Sequence, residues 1–230
     1  MPHTAPRPAT ELDRDVWVFD LDNTLYSADT DLFSQVDRNI GDYVADLTGL
    51  PAGDARRLQK DYLMRYGTTL KGLMAEHGVD PEGYLERVHA IDFSPLFPDP
   101  ALDRALSRLS ARKLVFTNAD AQYADRVLDR LGISHHFDGI FDIKGADYEP
   151  KPKDHAYDRF LDRFGVDPAK ALMVEDMARN LKPAFERGMA TVWVNTGSVW
   201  GEADHSPDYI MQEVPALTDW LLDHVGAPAE

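Results

Sequence analysis

The sequence predicts an α/β fold, with a mostly parallel sheet covered by helices on both faces and an all-helical segment inserted into it. Three observations carry this. Short, continuously apolar, β-favouring runs occur at residues 16–20, 113–117, 171–176 and 190–195, as expected of strands buried on both faces. Helical apolar periods alternate with those runs from about residue 98 onward, which implies right-handed βαβ crossovers. Residues 27–95 break the alternation, showing helical spacing and no convincing strand.

Taken in order, residues 1–15 (MPHTAPRPATELDRD) lack the apolar middle of a signal peptide and read as a mobile N-terminal leader. Val16-Trp17-Val18-Phe19 is the first strand, ending abruptly in Asp20-Leu-Asp22-Asn-Thr. In the insertion, Leu32, Val36, Ile40, Tyr43, Val44 and Leu47 share a helical face, followed by Leu58, Tyr62 and Leu63, then Tyr84, Leu85 and Val88. Gly49 to Gly53 reads as a turn between helices, and Pro95 and Pro98 mark the return to the sheet. The expected division is thus a core of 16–26 and 96–230 with a helical cap of 27–95.

Within the second part of the core, Leu102, Ala105, Leu106 and Leu109 form one helical stripe. Lys113 to Thr117 is the next strand, Ala124, Val127, Leu128 and Leu131 the next stripe, and Gly139 to Ile143 a weaker strand. Ala156, Phe160, Leu161 and Phe164 give a further helix before the strands Ala171 to Asp176 and Ala190 to Asn195. Val214, Leu217, Leu221, Leu222 and Val225 suggest a terminal helix whose partner, core or second chain, the pattern leaves open.

Composition bounds the function. A chain of 230 residues with 43% hydrophobic content can bury a sizeable core. A formal charge of −16 argues against broad docking on nucleic acid or anionic lipid, which need a positive patch. The absence of cysteine excludes disulfides and thiolate metal sites and suits a reducing cytoplasm. No apolar run approaches the roughly 18 residues of a membrane span.

The chemistry-bearing residues stand at strand ends, where open parallel sheets place their ligands. Asp20 and Asp22, one residue apart after the first strand, can divide two roles between them, attack or metal binding and proton transfer. A polar turn explains the same residues equally well when they are taken alone. Thr117-Asn118 puts a hydroxyl and an amide at the end of the second strand, able to hold phosphate oxygens or to cap a helix. Glu175-Asp176 ends a third, and paired acids there call for a compensating cation, a role suited to a hard divalent ion. Lys151, between Pro150 and Pro152, sits on extended backbone that can aim its ammonium.

The ordered set of strand–DxDxT, strand–Thr-Asn, Lys-Pro and strand–Glu-Asp resembles the four motifs of the haloacid dehalogenase superfamily, from Val16 to about Asn195. The resemblance implies a Rossmann-like core with a helical cap after the first motif. It also implies Asp20 as nucleophile and Mg²⁺ ligand, and Asp22 as general acid and base with its carbonyl facing the metal. Thr117, Asn118 and Lys151 would hold phosphate, Asp176 would bind the metal directly and Glu175 through water. Lys153 is the second candidate for the lysine role, and Asn180 stands where some relatives carry an acid.

Tyr26-Ser27, the stretch Met64 to Leu73, Val88 to Asp92 and Glu175 to Asn180 are similar to the pyrimidine 5′-nucleotidase branch, which implies a nucleoside monophosphate substrate. Tyr26 or Tyr66 would then stack on a base, Thr68 and Thr69 bond its polar edges, and Arg65 or Lys71 draw in the anion. Each has a plainer reading as core or solvated surface. His89 reads as a capping or packing residue, and His135-His136 as a loop without an accompanying carboxylate cluster. The alternatives are a phosphatase or phosphomutase for sugar phosphates or other small phosphometabolites, a haloacid dehalogenase, and a non-catalytic phosphometabolite sensor.

Overall fold

Strands form where the apolar runs predicted them, and their burial explains why the runs are continuous. In the computed structural model, which describes residues 12–226, β1 is Val16–Phe19, β2 Arg112–Phe116, β3 Gly139–Phe141, β4 Ala171–Glu175, β5 Ala190–Val194 and β6 Gln212–Val214. They build one six-stranded sheet in the order β3-β2-β1-β4-β5-β6. Every pairing in it is parallel.

Alternate residues of one strand feed opposite faces. Trp17 and Phe19 of β1, Val115 of β2 and Leu172 and Val174 of β4 join one apolar cluster, while Val16, Val18, Leu114, Phe116 and Met173 join another. Helices cover both faces. Those packed on the first cluster are α5 (Pro100–Arg108), α6 (Ala121–Leu131) and α9 (Leu217–His224); those on the second are α7 (Asp154–Phe164) and α8 (Ala178–Glu186). β1, β4 and β5 are buried at every position, which is why neither face of them carries a polar stripe.

Between β1 and α5 the chain forms a short 3-10 turn at Ala28–Thr30 and then four helices: α1 (Leu32–Thr48), α2 (Ala52–Tyr66), α3 (Thr69–His77) and α4 (Pro81–Val88). They carry a third cluster of their own, including Val44, Tyr62, Leu70, Leu73, Tyr84 and Val88, which reaches Ile143 beyond β3.

Several boundaries differ from the sequence reading. Each predicted strand stops one or two residues early, because the residues that end the runs, Asp20, Thr117, Asp176 and Asn195, have already turned off the sheet. The turn at Gly49–Gly53 is shorter, since α2 starts at Ala52. Helix α3 and strand β6 have no apolar period to announce them: α3 is set by Gly67 in a positive-φ conformation and by the Thr68 hydroxyl accepting the Lys71 amide, and Gln-Glu-Val is too short and polar to stand out. Residues 1–11 of the expected leader lie outside the described residues. Its last four do not behave as a leader, because Leu12 is 2% exposed within the core and the Asp15 carbonyl accepts the Arg112 amide at 2.9 Å.

Candidate active site

The strand order brings the C-terminal ends of β1, β2 and β4 side by side, since β1 lies between the other two. The Asp20 amide donates to the Val174 carbonyl and the Thr117 amide to the Phe141 carbonyl, each at 2.9 Å, so both residues leave the sheet with the backbone still pinned. They open into a cavity of about 390 Å³ lined by Asp20, Asp22, Thr117, Asn118, Lys151, Glu175, Asp176 and Asn180. Its far wall is the helical insertion, with Phe33, Val36, Ile40, Leu63, Tyr84, Leu85 and Val88. A smaller cavity of about 240 Å³ lies beside it, lined by Tyr26, Asp99 and Asn195 among others. The chemistry-bearing carboxylates face the larger one.

Lys151 is the hub. It is 1% exposed, and its Nζ lies 2.7 Å from each of Asp20 Oδ1, Glu175 Oε2 and the Phe116 carbonyl. An ammonium has three N–H donors, and here three acceptors meet them. Asn118 fixes the loop that delivers it: its Oδ1 accepts the Lys151 amide at 2.9 Å and its Nδ2 donates to the Lys151 carbonyl at 3.2 Å. Thr117 Oγ1 accepts the Ala119 amide at 3.0 Å, and Thr24 Oγ1 donates to Asp20 Oδ2 at 3.2 Å.

The charges in this pocket are unbalanced. Burial and the neighbouring Glu175 carboxylate push Asp20 up to about 7 despite Lys151. Burial, with Glu175 and Asp20 beside it, drives Asp176 well above the ordinary carboxylate range. Burial alone would depress the Lys151 ammonium, but Asp20 and Glu175 outweigh it and raise it. Asp22 is raised by burial, an effect opposed by hydrogen bonds from Tyr26 and Tyr123.

That excess of negative charge bears on a metal. Asp20, Glu175 and Asp176 each offer a carboxylate oxygen, all within 4.8 Å of one another. An all-oxygen set suits a hard divalent cation such as Mg²⁺. Among the described residues Asn180 Oδ1 is buried and without a hydrogen-bond partner, and it belongs to a residue on the same cavity wall, so a further oxygen donor is available. The residues present fit the ion.

The expected cap contacts divide. Thr68 and Thr69 line the cavity, but Thr68 Oγ1 accepts the Lys71 amide and Thr69 Oγ1 donates to the Gln59 carbonyl at 3.0 Å. Tyr26 lines the smaller cavity and bonds Asp22. Arg65, Tyr66 and Lys71 do not line the larger cavity: Arg65 pairs with Asp61 and stacks on Tyr66, Tyr66 bonds Glu76, and Lys71 pairs with Glu149. Arg56, Lys60 and Trp200, which no sequence pattern marks, line it instead. Arg56 and Lys60 both pair with Asp37, and Lys60 Nζ lies 5.3 Å from the centre of the Trp200 ring.

Two contacts tie the insertion to the sheet above this site. Arg179 of α8 donates to the carbonyls of Leu63 and Gly67 at the end of α2. His89, just past α4, lies 2.6 Å from Asp120 and stacks on Tyr123 at 4.3 Å between ring centres. The structure also supplies His136 with a carboxylate: Asp103, distant in sequence, stands 2.8 Å from His136 and 3.3 Å from His135, outside both cavities.

A family model described as haloacid dehalogenase-like hydrolase matches residues 15–185. The chain belongs to that family. Among relatives of this hydrolase, phosphate metabolism protein 8 of Saccharomyces cerevisiae is 29% identical over 81% of this chain and 62% of its own length. A phosphoglycolate phosphatase of Vibrio vulnificus is 26% identical over 52% of this chain and 53% of its own. The hydrolase therefore spans less than two thirds of these two relatives, although it matches 92% of a phosphoglycolate phosphatase of Aliivibrio fischeri at 25% identity. Solved structures share the fold: a HAD phosphatase from Thermococcus onnurineus at TM-score 0.57 and 19% identity, covering 90% of this chain and 95% of that one. The L-2-haloacid dehalogenase of Xanthobacter autotrophicus gives TM-score 0.56 at 19% identity, covering 90% and 97%.

Proposed function

We propose that this hydrolase cleaves small phosphate monoesters through a phospho-aspartate formed on Asp20, and that pyrimidine nucleoside 5′-monophosphates are its substrates. The observation that carries the reading is Lys151 Nζ set 2.7 Å from both Asp20 and Glu175 on a cavity that Asp22 also lines. A buried nucleophile, a fixed cation and a second acid meet at one opening.

In this reading Asp20 attacks phosphorus while the bond to the ester oxygen breaks and its electron pair leaves with that oxygen. Asp22 gives its proton to the departing oxygen, which is otherwise a poor leaving group. Water then attacks the phospho-aspartate, losing a proton to Asp22, and the Asp20 carboxylate is released with inorganic phosphate. Lys151 offsets the charge that a dianion brings towards carboxylates. Asp20, Asp176 and the Asp22 carbonyl, with Glu175 through water, would hold Mg²⁺, which would supply further neutralisation of the phosphoryl oxygens. Burial raises the proton affinity of Asp22, which is the direction a proton donor needs.

The phosphatase names of several relatives favour this class over dehalogenation, and so does the clustering of Asp20, Glu175 and Asp176, which a metal-free displacement of halide would not use. For the substrate, the apolar and aromatic far wall with Arg56, Lys60 and Trp200 at the same cavity suits a planar base on an anionic ester. The phosphoglycolate phosphatases among the relatives favour a second reading, a smaller phosphate ester.

Phosphate release with Mg²⁺ from UMP, CMP, dUMP, AMP, GMP, sugar phosphates and phosphoglycolate tests both. Preference for UMP and CMP over AMP and GMP supports the nucleotide reading, and preference for a sugar phosphate or phosphoglycolate removes it. Asp20→Asn and EDTA are each expected to abolish turnover. Activity surviving either one contradicts the mechanism.

A further inference from the structure

Two tyrosine hydroxyls converge on one oxygen of Asp22. Tyr26 OH lies 2.5 Å and Tyr123 OH 2.7 Å from Asp22 Oδ1, and the two hydroxyls are 3.5 Å apart. Both rings are buried in the core cluster. Tyr26 comes from the turn after β1, whereas Tyr123 is fixed on α6, so the carboxylate is held from two independent elements. Among the described residues no side chain or amide bonds Asp22 Oδ2, and Asp22 lines the larger cavity.

We infer that Tyr26 and Tyr123 are positioning residues that saturate Asp22 Oδ1, fix the carboxyl plane and leave Oδ2 as the atom that passes its proton to the leaving oxygen. This rests on the phosphatase reading and deepens it. A carboxyl on a short side chain rotates freely about its terminal bond, and two phenol donors on one oxygen remove that freedom. Proton transfer is efficient only when donor and acceptor are held in line within hydrogen-bond reach.

Tyr123 is itself held. His89 stacks on its ring at 4.3 Å and 18° between planes, and His89 is anchored 2.6 Å from Asp120, which also caps α6 by accepting the Tyr123 amide at 2.9 Å. His89 follows α4, so the helical insertion is in van der Waals contact with the group that orients the acid.

The test separates positioning from bulk packing through the leaving group. An alkyl ester needs a proton on its departing oxygen, whereas p-nitrophenolate leaves unprotonated. The parameter is kcat/KM, which reports steps up to phosphoryl transfer, because kcat also contains phospho-aspartate hydrolysis, where Asp22 acts on both esters. Tyr26→Phe and Tyr123→Phe are assayed with p-nitrophenyl phosphate and with whichever alkyl phosphate the wild type turns over fastest. Rates are normalised to the folded fraction from thermal melts.

Each single variant is expected to lose about tenfold in kcat/KM on the alkyl ester and less than about twofold on p-nitrophenyl phosphate, and the double variant about a hundredfold on the alkyl ester. Losses of equal size on the two esters, or no loss on either, overturn the inference while leaving the phosphatase reading intact. A wild type that hydrolyses neither ester overturns that reading and this inference with it.

Discussion

At Lys151 one side chain decides whether the pocket is tolerable at all. With Nζ 2.7 Å from Asp20, Glu175 and the Phe116 carbonyl, the ammonium is the compensating charge for two buried carboxylates. Lys151→Met keeps the volume and removes the charge, so Asp20 and Glu175 are left facing each other. Breaking a buried pair from one side costs about 3–5 kcal/mol, and a loss in that range is expected in urea unfolding at neutral pH, together with loss of turnover. A destabilisation within about 0.5 kcal/mol, the range of an ordinary surface substitution, would contradict the hub assignment. Asp20, Asp22, Thr117, Lys151, Glu175 and Asp176 were legible in the sequence because each follows an apolar strand or sits in a distinctive Lys-Pro context, and the strand order does the rest. Tyr123 and Trp200 were not. One lies on the apolar face of α6 and looks like core, and the other follows β5 in a loop with no periodicity, so only the folded chain shows that they reach Asp22 and the cavity.

Among the elements, the α2–α3 pair shows how packing overrides propensity. Gly72 lies inside α3, where alanine normally gains about 1 kcal/mol over glycine. A Cβ there would meet Tyr62 Cγ at 2.5 Å and Tyr62 Cβ at 2.6 Å, the rigid base of that side chain rather than its movable end. Overpacking of this kind costs about 1–3 kcal/mol, so Gly72→Ala is expected to lower stability by about 1–2 kcal/mol, read as a fall in Tm. An unchanged or raised Tm would mean that α2 and α3 are packed less closely. Gly49→Ala shows backbone strain without overpacking: its φ of +69° is left-handed, which costs about 1–2 kcal/mol, but no atom lies within 4 Å of the added Cβ. The same seam explains what the sequence concealed. Apolar periodicity reports a helix that buries one long face, as α1 does with Leu32, Val36 and Val44. Helix α3 buries the consecutive Thr69 and Leu70 and then Gly72 and Leu73, so no clean stripe survives, and its start is written in Gly67 and Thr68 instead.

For the molecule as a whole, the carboxylate cluster links folding to protons and to metal. In the metal-free protein burial and Glu175 raise Asp20 from 3.8 to about 7, and Asp176 moves in the same direction. Between those pH values the folded state holds a proton that the unfolded chain has released, so the slope of stability against pH is negative. The contribution of this cluster to the stability of the metal-free protein is therefore expected to fall as pH rises from about 4 through about 7. Mg²⁺ requires ionised oxygens, and its binding displaces that proton. A ligand that binds only the folded state raises stability by RT ln(1 + [L]/Kd), and the apparent Kd tightens as the competing proton is lost. The rise in Tm caused by a fixed Mg²⁺ concentration should accordingly be small near about pH 5.5 and increase as pH rises through about 7. Scanning calorimetry across that range, with and without Mg²⁺, measures it directly, and Asp176→Asn should remove most of the increment at the upper end of the range. An increment that is flat with pH, or largest in acid, would show that the ion binds somewhere other than Asp20, Glu175 and Asp176.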